Sequence, residues 1–298
     1  MRAMWLGLLK TMRPHQWVKN GFVVAPLVFA EQLFEPTALV RALVAFALFC
    51  LVSGAVYLLN DVRDVEKDRS HPVKQHRPIA SGVVPVRVAA RASAVLAVGA
   101  IGAGLWLASG FGIAMAAYMG MNVGYSFGLK NVPWLDVLII AAGFLLRVLA
   151  GALAIQVHIS GWLLGCTFLL ALFLGMGKRR HELVTAGDGA TKQRRVLQFY
   201  QLAHLNLAIT TVGIATVVAY ASYAFSAHAR ELFDTTAMPW TIPFIIVGIG
   251  RFLQLSGAAD DARSPTDRMV RDIPFVANIL GWGLLVVWLI YLKSGLAV

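Results

Sequence analysis

Residues 37–68 read TALVRALVAFALFCLVSGAVYLLNDVRDVEKD. The first 23 carry one charge, Arg41, and the last nine carry Asp61, Asp64, Glu66 and Asp68. About 20 apolar residues suffice for a helix to cross the hydrocarbon core of a bilayer. A membrane-length helix that empties into a cluster of acids is therefore the first expectation.

The same pattern of long apolar runs repeats along the chain. Runs at 21–34, 37–59, 92–109, 111–129, 137–156, 159–177, 199–225, 238–255 and 273–292 predict nine transmembrane helices. The first is short, carries Glu31 and is read as beginning near Trp17. The expected fold is all-α and polytopic, with residues 1–298 as a single integral-membrane domain. Composition agrees, since 58% of the 298 residues are hydrophobic and only 14% charged, where a water-soluble domain carries about 25%. The cysteines, Cys50 and Cys166, lie inside apolar runs, which excludes a disulfide framework and a Cys/His zinc spacing. Residues 1–19 scatter Arg2, Lys10, Arg13 and Lys19 without an apolar core or a cleavage site, so they do not read as a signal peptide.

The chain holds 26 Lys and Arg against 15 Asp and Glu, a net charge of +11. If nine spans alternate from an inside N-terminus, 22 of the 26 bases fall on one side, all but Arg41, Arg147, Arg230 and Lys293. By the positive-inside rule that side is the cytoplasm of a cell-membrane protein, and the C-terminus lies outside. The bases thus report membrane sidedness and not nucleic acid. The long polar segments, 60–83, 178–198 and 256–272, share that inner side, so active-site loops are expected there.

The segment Asn60-Asp61-Val62-Arg63-Asp64-Val65-Glu66-Lys67-Asp68 has the form N-D-x-x-D-x-x-x-D. On a continuing helix Asn60, Asp64 and Asp68 share one face, with Asp61 nearby. Oxygen ligands of this kind suit Mg²⁺, which leaves room for substrate phosphate. The alternative is a solvated helix end laced with Arg63, Lys67 and Arg69. The loop from His71 to Gly82, broken by Pro72 and Pro78, brings Lys74 and Arg77 close by, either for phosphate oxygens or as plain inside-facing bases. Tyr118, Asn122 and Tyr125 share a face of the fourth run, which ends at Lys130, and either line a pocket or join helices. Arg147 sits mid-span, read as an anchor for an anionic headgroup or as a structural ion pair. Lys178, His181 and Glu182 share a face where the sixth run ends, a phosphate-binding edge in which His181 is given no metal role. Asp260, Asp261, Arg263, Asp267, Arg268 and Asp272 in the third loop suggest no role.

The N-D-x-x-D-x-x-x-D stretch after the second span, the Tyr125-Ser126-x-x-Leu129-Lys130 ending of the fourth and the nine-helix pattern resemble the UbiA superfamily of intramembrane prenyltransferases. Arg13-Pro14-His15-Gln16-Trp17-Val18-Lys19-Asn20, the Lys74 to Gly82 loop and Lys178-Arg179-Arg180-His181-Glu182 look like its decaprenyl-phosphate phosphoribosyltransferase branch. The resemblance implies a Mg²⁺-dependent pentosyltransferase that moves 5-phosphoribose from 5-phosphoribosyl 1-pyrophosphate to a polyprenyl phosphate for cell-wall arabinan. It implies Mg²⁺ on Asn60, Asp64 and Asp68, with Asp61 beside them. Lys19, Lys74, Arg77, Lys130 and Lys178 would meet the donor's phosphates, with Glu182 as the one carboxylate on that edge. Asn122 and Tyr125 would orient the ribose, Tyr118 lining the same face, and Arg147 would hold the lipid phosphate. Prenylating members typically carry a second D-x-x-x-D after the sixth span, where this chain has Lys178 to Glu182 and Asp188. That departure weighs against an aromatic prenyltransferase, and the lack of paired midplane charges weighs against a small transporter. A homo-oligomer is compatible with this reading.

Overall fold

The computed structural model describes residues 2–186, 195–257 and 265–292, and within them every regular element is helical. Asp188, Lys192, Arg194, Asp260, Asp261, Arg263 and Lys293 lie outside the described residues. The chain divides into two units, Met1–Leu129 with Leu145–Ile159, and Lys130–Phe144 with Ser160–Val298.

The first unit opens with α1 (Arg2–Thr11), followed by a 3-10 helix over Pro14–Val23 and the five-residue α2 (Ala25–Phe29). No membrane-length helix forms over 21–34, contrary to the sequence expectation. Pro14 and Pro26 each remove an amide donor, and Arg13 and Glu31 turn the chain with φ of 54° and 57°. Helix α3 (Pro36–Arg63) starts with Pro36 in its first turn and runs 28 residues, roughly 42 Å, which exceeds a bilayer core of about 30 Å. The excess carries its acidic end past the apolar stretch. Asp64 then forms a junction, with φ −95° and ψ 10°, to the short α4 (Val65–Arg69).

Helices α5 (Val86–Leu107) and α6 (Ser109–Phe127) form a hairpin joined by extended Ala108. The hairpin closes tightly because Gly112 faces Leu105, whose backbone nitrogen would lie 2.5 Å from any Cβ added there. Small residues permit such close helix packing in membranes. Helix α6, which holds four glycines with Asn122, Tyr118 and Tyr125, is not among the helices long and apolar enough to cross a membrane. Among the described residues the predicted nine spans become seven helices long and apolar enough to cross a membrane, and the count of bases by side, built on nine alternations, does not carry over.

Helix α7 (Leu135–Ile155) gives its second half to this unit, where a Cβ on Gly151 would meet the Val23 carbonyl at 1.9 Å. Phe49, Val52, Phe111, Met115 and Ala150 fill the core between these helices. Arg41 binds two helix ends, donating from Nε to the Ala154 carbonyl at 2.8 Å and from Nη2 to that of Leu107 at 2.9 Å. A cation placed on terminal carbonyls satisfies orphan acceptors and opposes the helix dipoles.

The second unit holds the first half of α7, α8 (Gly161–Ala186), a 3-10 turn over Arg195–Phe199, α9 (Leu202–Phe225), α10 (Ala227–Phe233), α11 (Ile242–Gly257), α12 (Pro265–Met269) and α13 (Ile273–Val287), which closes as a π-helix over Trp288–Leu292. Its core is Val137, Phe173, Ile209, Phe252 and Phe275. Leu207, Ile214 and Val218 on α9 are exposed. That many bare aliphatic side chains on one helix suits lipid and not water.

Candidate active site

The acidic end of α3 is held by arginines. Asp61 lies in the last turn of α3 and Asp68 on the short α4, beyond the Asp64 junction. Both are buried, and both meet one atom: Arg77 Nη1 donates to Asp61 Oδ1 at 3.1 Å and to Asp68 Oδ2 at 2.7 Å. Arg13 Nη2 adds a bond to Asp61 Oδ1 at 2.7 Å while its guanidinium lies 5.0 Å over the Tyr57 ring. Arg13 comes within reach because its left-handed backbone reverses the chain between α1 and the following 3-10 helix.

Arg77 sits on a loop that the core fixes in place. Ile79 and Val84 are buried with Leu8, Leu58 and Ala89, and Arg69 Nε donates to the Ala80 carbonyl at 3.3 Å. Gly82 supplies the positive φ of 83° that turns the chain back toward α5. Lys74 is half-buried on the 3-10 turn Lys74–His76 of the same loop. Burial pushes its ammonium below the usual lysine range, Arg77 pushes it further the same way, and Asp68 and Asp64 oppose them.

Within the predicted stripe of Asn60, Asp64 and Asp68, Asn60 and Asp68 meet different partners. Asn60 Oδ1 takes the hydroxyl of Ser126, which also meets the Asn122 carbonyl at 2.7 Å. Asp64 stands at the junction of α3 and α4. Asp61, read from sequence as a neighbour, is instead the partner of Asp68. Among the described residues no three carboxylate, imidazole or thiol groups gather as a preformed metal cage. The convergence of two carboxylates on one cationic nitrogen nevertheless fits Mg²⁺, which proteins hold through one or two carboxylates with water and substrate phosphates.

Tyr118, Asn122 and Tyr125 do not share one task. Asn122 donates along its own helix to the Tyr118 carbonyl at 2.8 Å, while the Tyr118 hydroxyl accepts from Arg147 Nη2 at 2.9 Å. Arg147 Nε donates to Asn20 Oδ1 at 2.9 Å, and its guanidinium lies over the rings of Tyr118 and Phe49 at 4.8 and 5.4 Å. Phe49 precedes Asp61 by 12 residues, roughly 18 Å along α3, so Arg147 belongs to a different level of the unit from the acids. Tyr125 and Lys19 are half-buried in this unit.

Lys130, Lys178 and Glu182 belong to the second unit. Lys178 is half-buried on α8, and its neighbour Arg179 is fully enclosed. Arg179 Nε lies 2.5 Å from Asp136 Oδ2 and its Nη1 2.5 Å from Glu182 Oε2. Tyr200 donates its hydroxyl to Asp136 Oδ1 at 2.6 Å and accepts from the Trp134 amide at 2.8 Å. Glu182, expected at a phosphate edge, thus serves Arg179. Sequence reasoning missed this network, and also the pairing of Arg13 with Asp61. The only advance signal was an acid at the start of α7.

Residues 21–263 match the model of the UbiA prenyltransferase family. The chain belongs to this family. Among UbiA relatives, the decaprenyl-phosphate phosphoribosyltransferase of Mycolicibacterium smegmatis is 36% identical over 287 residues, 93% of this chain and 90% of that protein. That of Corynebacterium glutamicum is 33% identical over 296 residues, 96% and 87% of the two chains. A UbiA homologue from Archaeoglobus fulgidus, solved with DMAPP and Mg²⁺, superposes with a TM-score of 0.68 at 17% identity, covering 94% of this chain and 98% of that one. That likeness establishes the UbiA fold.

Proposed function

We propose that the chain transfers 5-phosphoribose from 5-phosphoribosyl 1-pyrophosphate to a polyprenyl phosphate, decaprenyl phosphate by analogy with its relatives, as a precursor step for cell-wall arabinan. The single observation that supports this most is 36% identity, across nine-tenths of both chains, to a protein named for that reaction. The acidic and basic residues at the end of α3 supply chemistry that suits such a donor.

An oxygen of the acceptor phosphate attacks the anomeric carbon of the ribose. The bond from that carbon to the pyrophosphate oxygen breaks, and pyrophosphate departs with the bonding electrons. The acceptor oxygen is already anionic at neutral pH, so no general base is required, and in-line displacement inverts the anomeric centre. Asp61 and Asp68 would hold Mg²⁺, with Asp64 at the adjoining junction. When bound, the ion supplies positive charge for the leaving pyrophosphate. Lys74, Arg77 and Lys19 bind donor phosphate oxygens, and Asn122 and Tyr125 orient the ribose. Arg147, committed to Asn20 and Tyr118, positions the segment that carries Lys19. The donor is water-borne, which assigns the face bearing Asp61 to the cytoplasm of a multi-pass cell-membrane protein.

Membranes containing the chain, incubated with phosphoribosyl pyrophosphate labelled in the ribose, are expected to accumulate label in the lipid fraction only when polyprenyl phosphate is present. Label that stays in the aqueous phase, with labelled prenyl diphosphate instead consumed on an aromatic acceptor, would reverse the assignment.

A further inference from the structure

The carboxylates at the end of α3 and the cations that hold them differ in one respect. The side chains of Asp61 and Asp68 are about 5% exposed, whereas those of Arg13 and Arg77 are 29% and 30% exposed. In the second unit the corresponding cation, Arg179, is 0% exposed. A guanidinium already partly in water gives up an ion pair at modest cost, because water replaces what it leaves. One that is wholly enclosed has no such exchange open to it.

Charge narrows the matter further. Asp61 and Asp68 carry two negative charges, and Arg13 and Arg77 carry two positive ones. A divalent cation carries the same charge as the two arginines together, so it can replace both without leaving a buried carboxylate uncompensated. Arg77 is also well placed to move by its side chain alone, because Ile79, Val84 and the Arg69 bond to Ala80 fix the backbone beyond it. Lys74, on the same loop, already lies within the electrostatic reach of Asp64, Asp68 and Arg77.

We propose that Arg13 and Arg77 are exchangeable counter-ions of the Asp61–Asp68 pair, which neutralise it in the unloaded protein and yield it to the divalent cation that arrives with the donor. Released, their guanidinium groups turn to the donor's diphosphate, whose planar, bidentate recognition suits arginine. The inference rests on the donor reading above and adds to it an order of events. Metal alone must compete with two arginines and binds weakly, whereas metal with diphosphate gives those arginines a new partner and binds tightly.

The test is Mn²⁺ binding, followed by electron paramagnetic resonance, to the purified full-length chain in lipid nanodiscs, with Mn²⁺ alone and with inorganic pyrophosphate. In wild type, pyrophosphate is expected to tighten Mn²⁺ binding. Arg77→Gln is expected to bind Mn²⁺ alone about tenfold more tightly than wild type, with a smaller gain from pyrophosphate. Arg13→Gln moves the same way, and Arg77→Lys, which keeps the charge, stays near wild type. Mn²⁺ affinity unchanged or weaker in both glutamine variants, with Asp68→Asn still abolishing binding, overturns the exchange and leaves the metal assignment standing. Absence of any Mn²⁺ binding that responds to Asp68→Asn removes both.

Discussion

Arg147 Nε donates to Asn20 Oδ1 at 2.9 Å across 127 positions of sequence, and that bond ties the middle of α7 to the segment leading from α1 to α2. Asn20 also donates through Nδ2 to Ser53 Oγ at 3.0 Å and to Cys50 Sγ at 3.3 Å, so one amide joins three parts of the first unit. Asn20→Leu removes an acceptor from an enclosed guanidinium and is expected to cost about 1.5–3 kcal/mol, the usual range for hydrogen bonds to charged groups. Tyr118→Phe is expected to cost a similar amount. Thermal unfolding in detergent reads both losses, and wild-type melting in Asn20→Leu would contradict the structural role given to this pair.

The Asp136–Arg179 pair makes a different prediction because it is closed to water. Arg179→Met leaves the carboxylate of Asp136 enclosed and is expected to destabilise by about 3–5 kcal/mol, as when one partner of a buried pair is removed. Replacing both, with Asp136→Leu and Arg179→Met, is expected to recover much of that loss, since the two residues are in contact and their effects do not add. Melting temperatures of the two single variants and the double variant decide it. A double variant as unstable as the sum of the singles would show that the charges act independently.

The α-helical membrane fold is legible in the sequence because lipid permits few alternatives: apolar length alone places seven of the nine expected spans. Two runs were misread. Pro26 interrupts one, which folds as short 3-10 and α segments, and the other forms α6, a helix that does not count as a membrane span. Of the residues singled out from sequence, Asp61, Asp68 and Arg77 come together in the structure, in a pairing that helical spacing did not give. Helical spacing shows which residues share a face, and cannot show that Arg13, brought in by a left-handed turn, reaches Asp61, or that Ser126 takes Asn60. Arg147 illustrates the same limit: its depth was evident from its place in the span, while its partners came from two distant segments.

Loss of the acid pair should reach the chemistry directly. Asp68→Asn is expected to lower turnover by about 10²- to 10³-fold, the range found when a group that stabilises developing charge is removed. Binding of polyprenyl phosphate should change little, because the acceptor is not held by these carboxylates. Steady-state kinetics with varied donor and varied acceptor separates the two effects. A defect confined to the acceptor KM would move Asp68 out of the donor site.

The pH dependence follows from Lys74. Burial, and then Arg77, hold its pKa below the ordinary lysine range, so the folded chain gives up this proton at lower pH than the unfolded chain does. Its protonated form is disfavoured in the folded state, and the associated stability cost is present at low pH and is relieved as pH rises through the lowered pKa. Donor binding runs the other way, because only the ammonium attracts phosphate. The value of kcat/KM for the donor, which reports the free enzyme, is therefore expected to fall on an alkaline limb that begins below the usual lysine range. Saturating donor keeps Lys74 charged, so kcat alone falls later. Lys74→Arg, which stays charged throughout, is expected to move the limb of kcat/KM to higher pH. An identical limb in that variant would assign the titration to another group and remove Lys74 from the donor's phosphates.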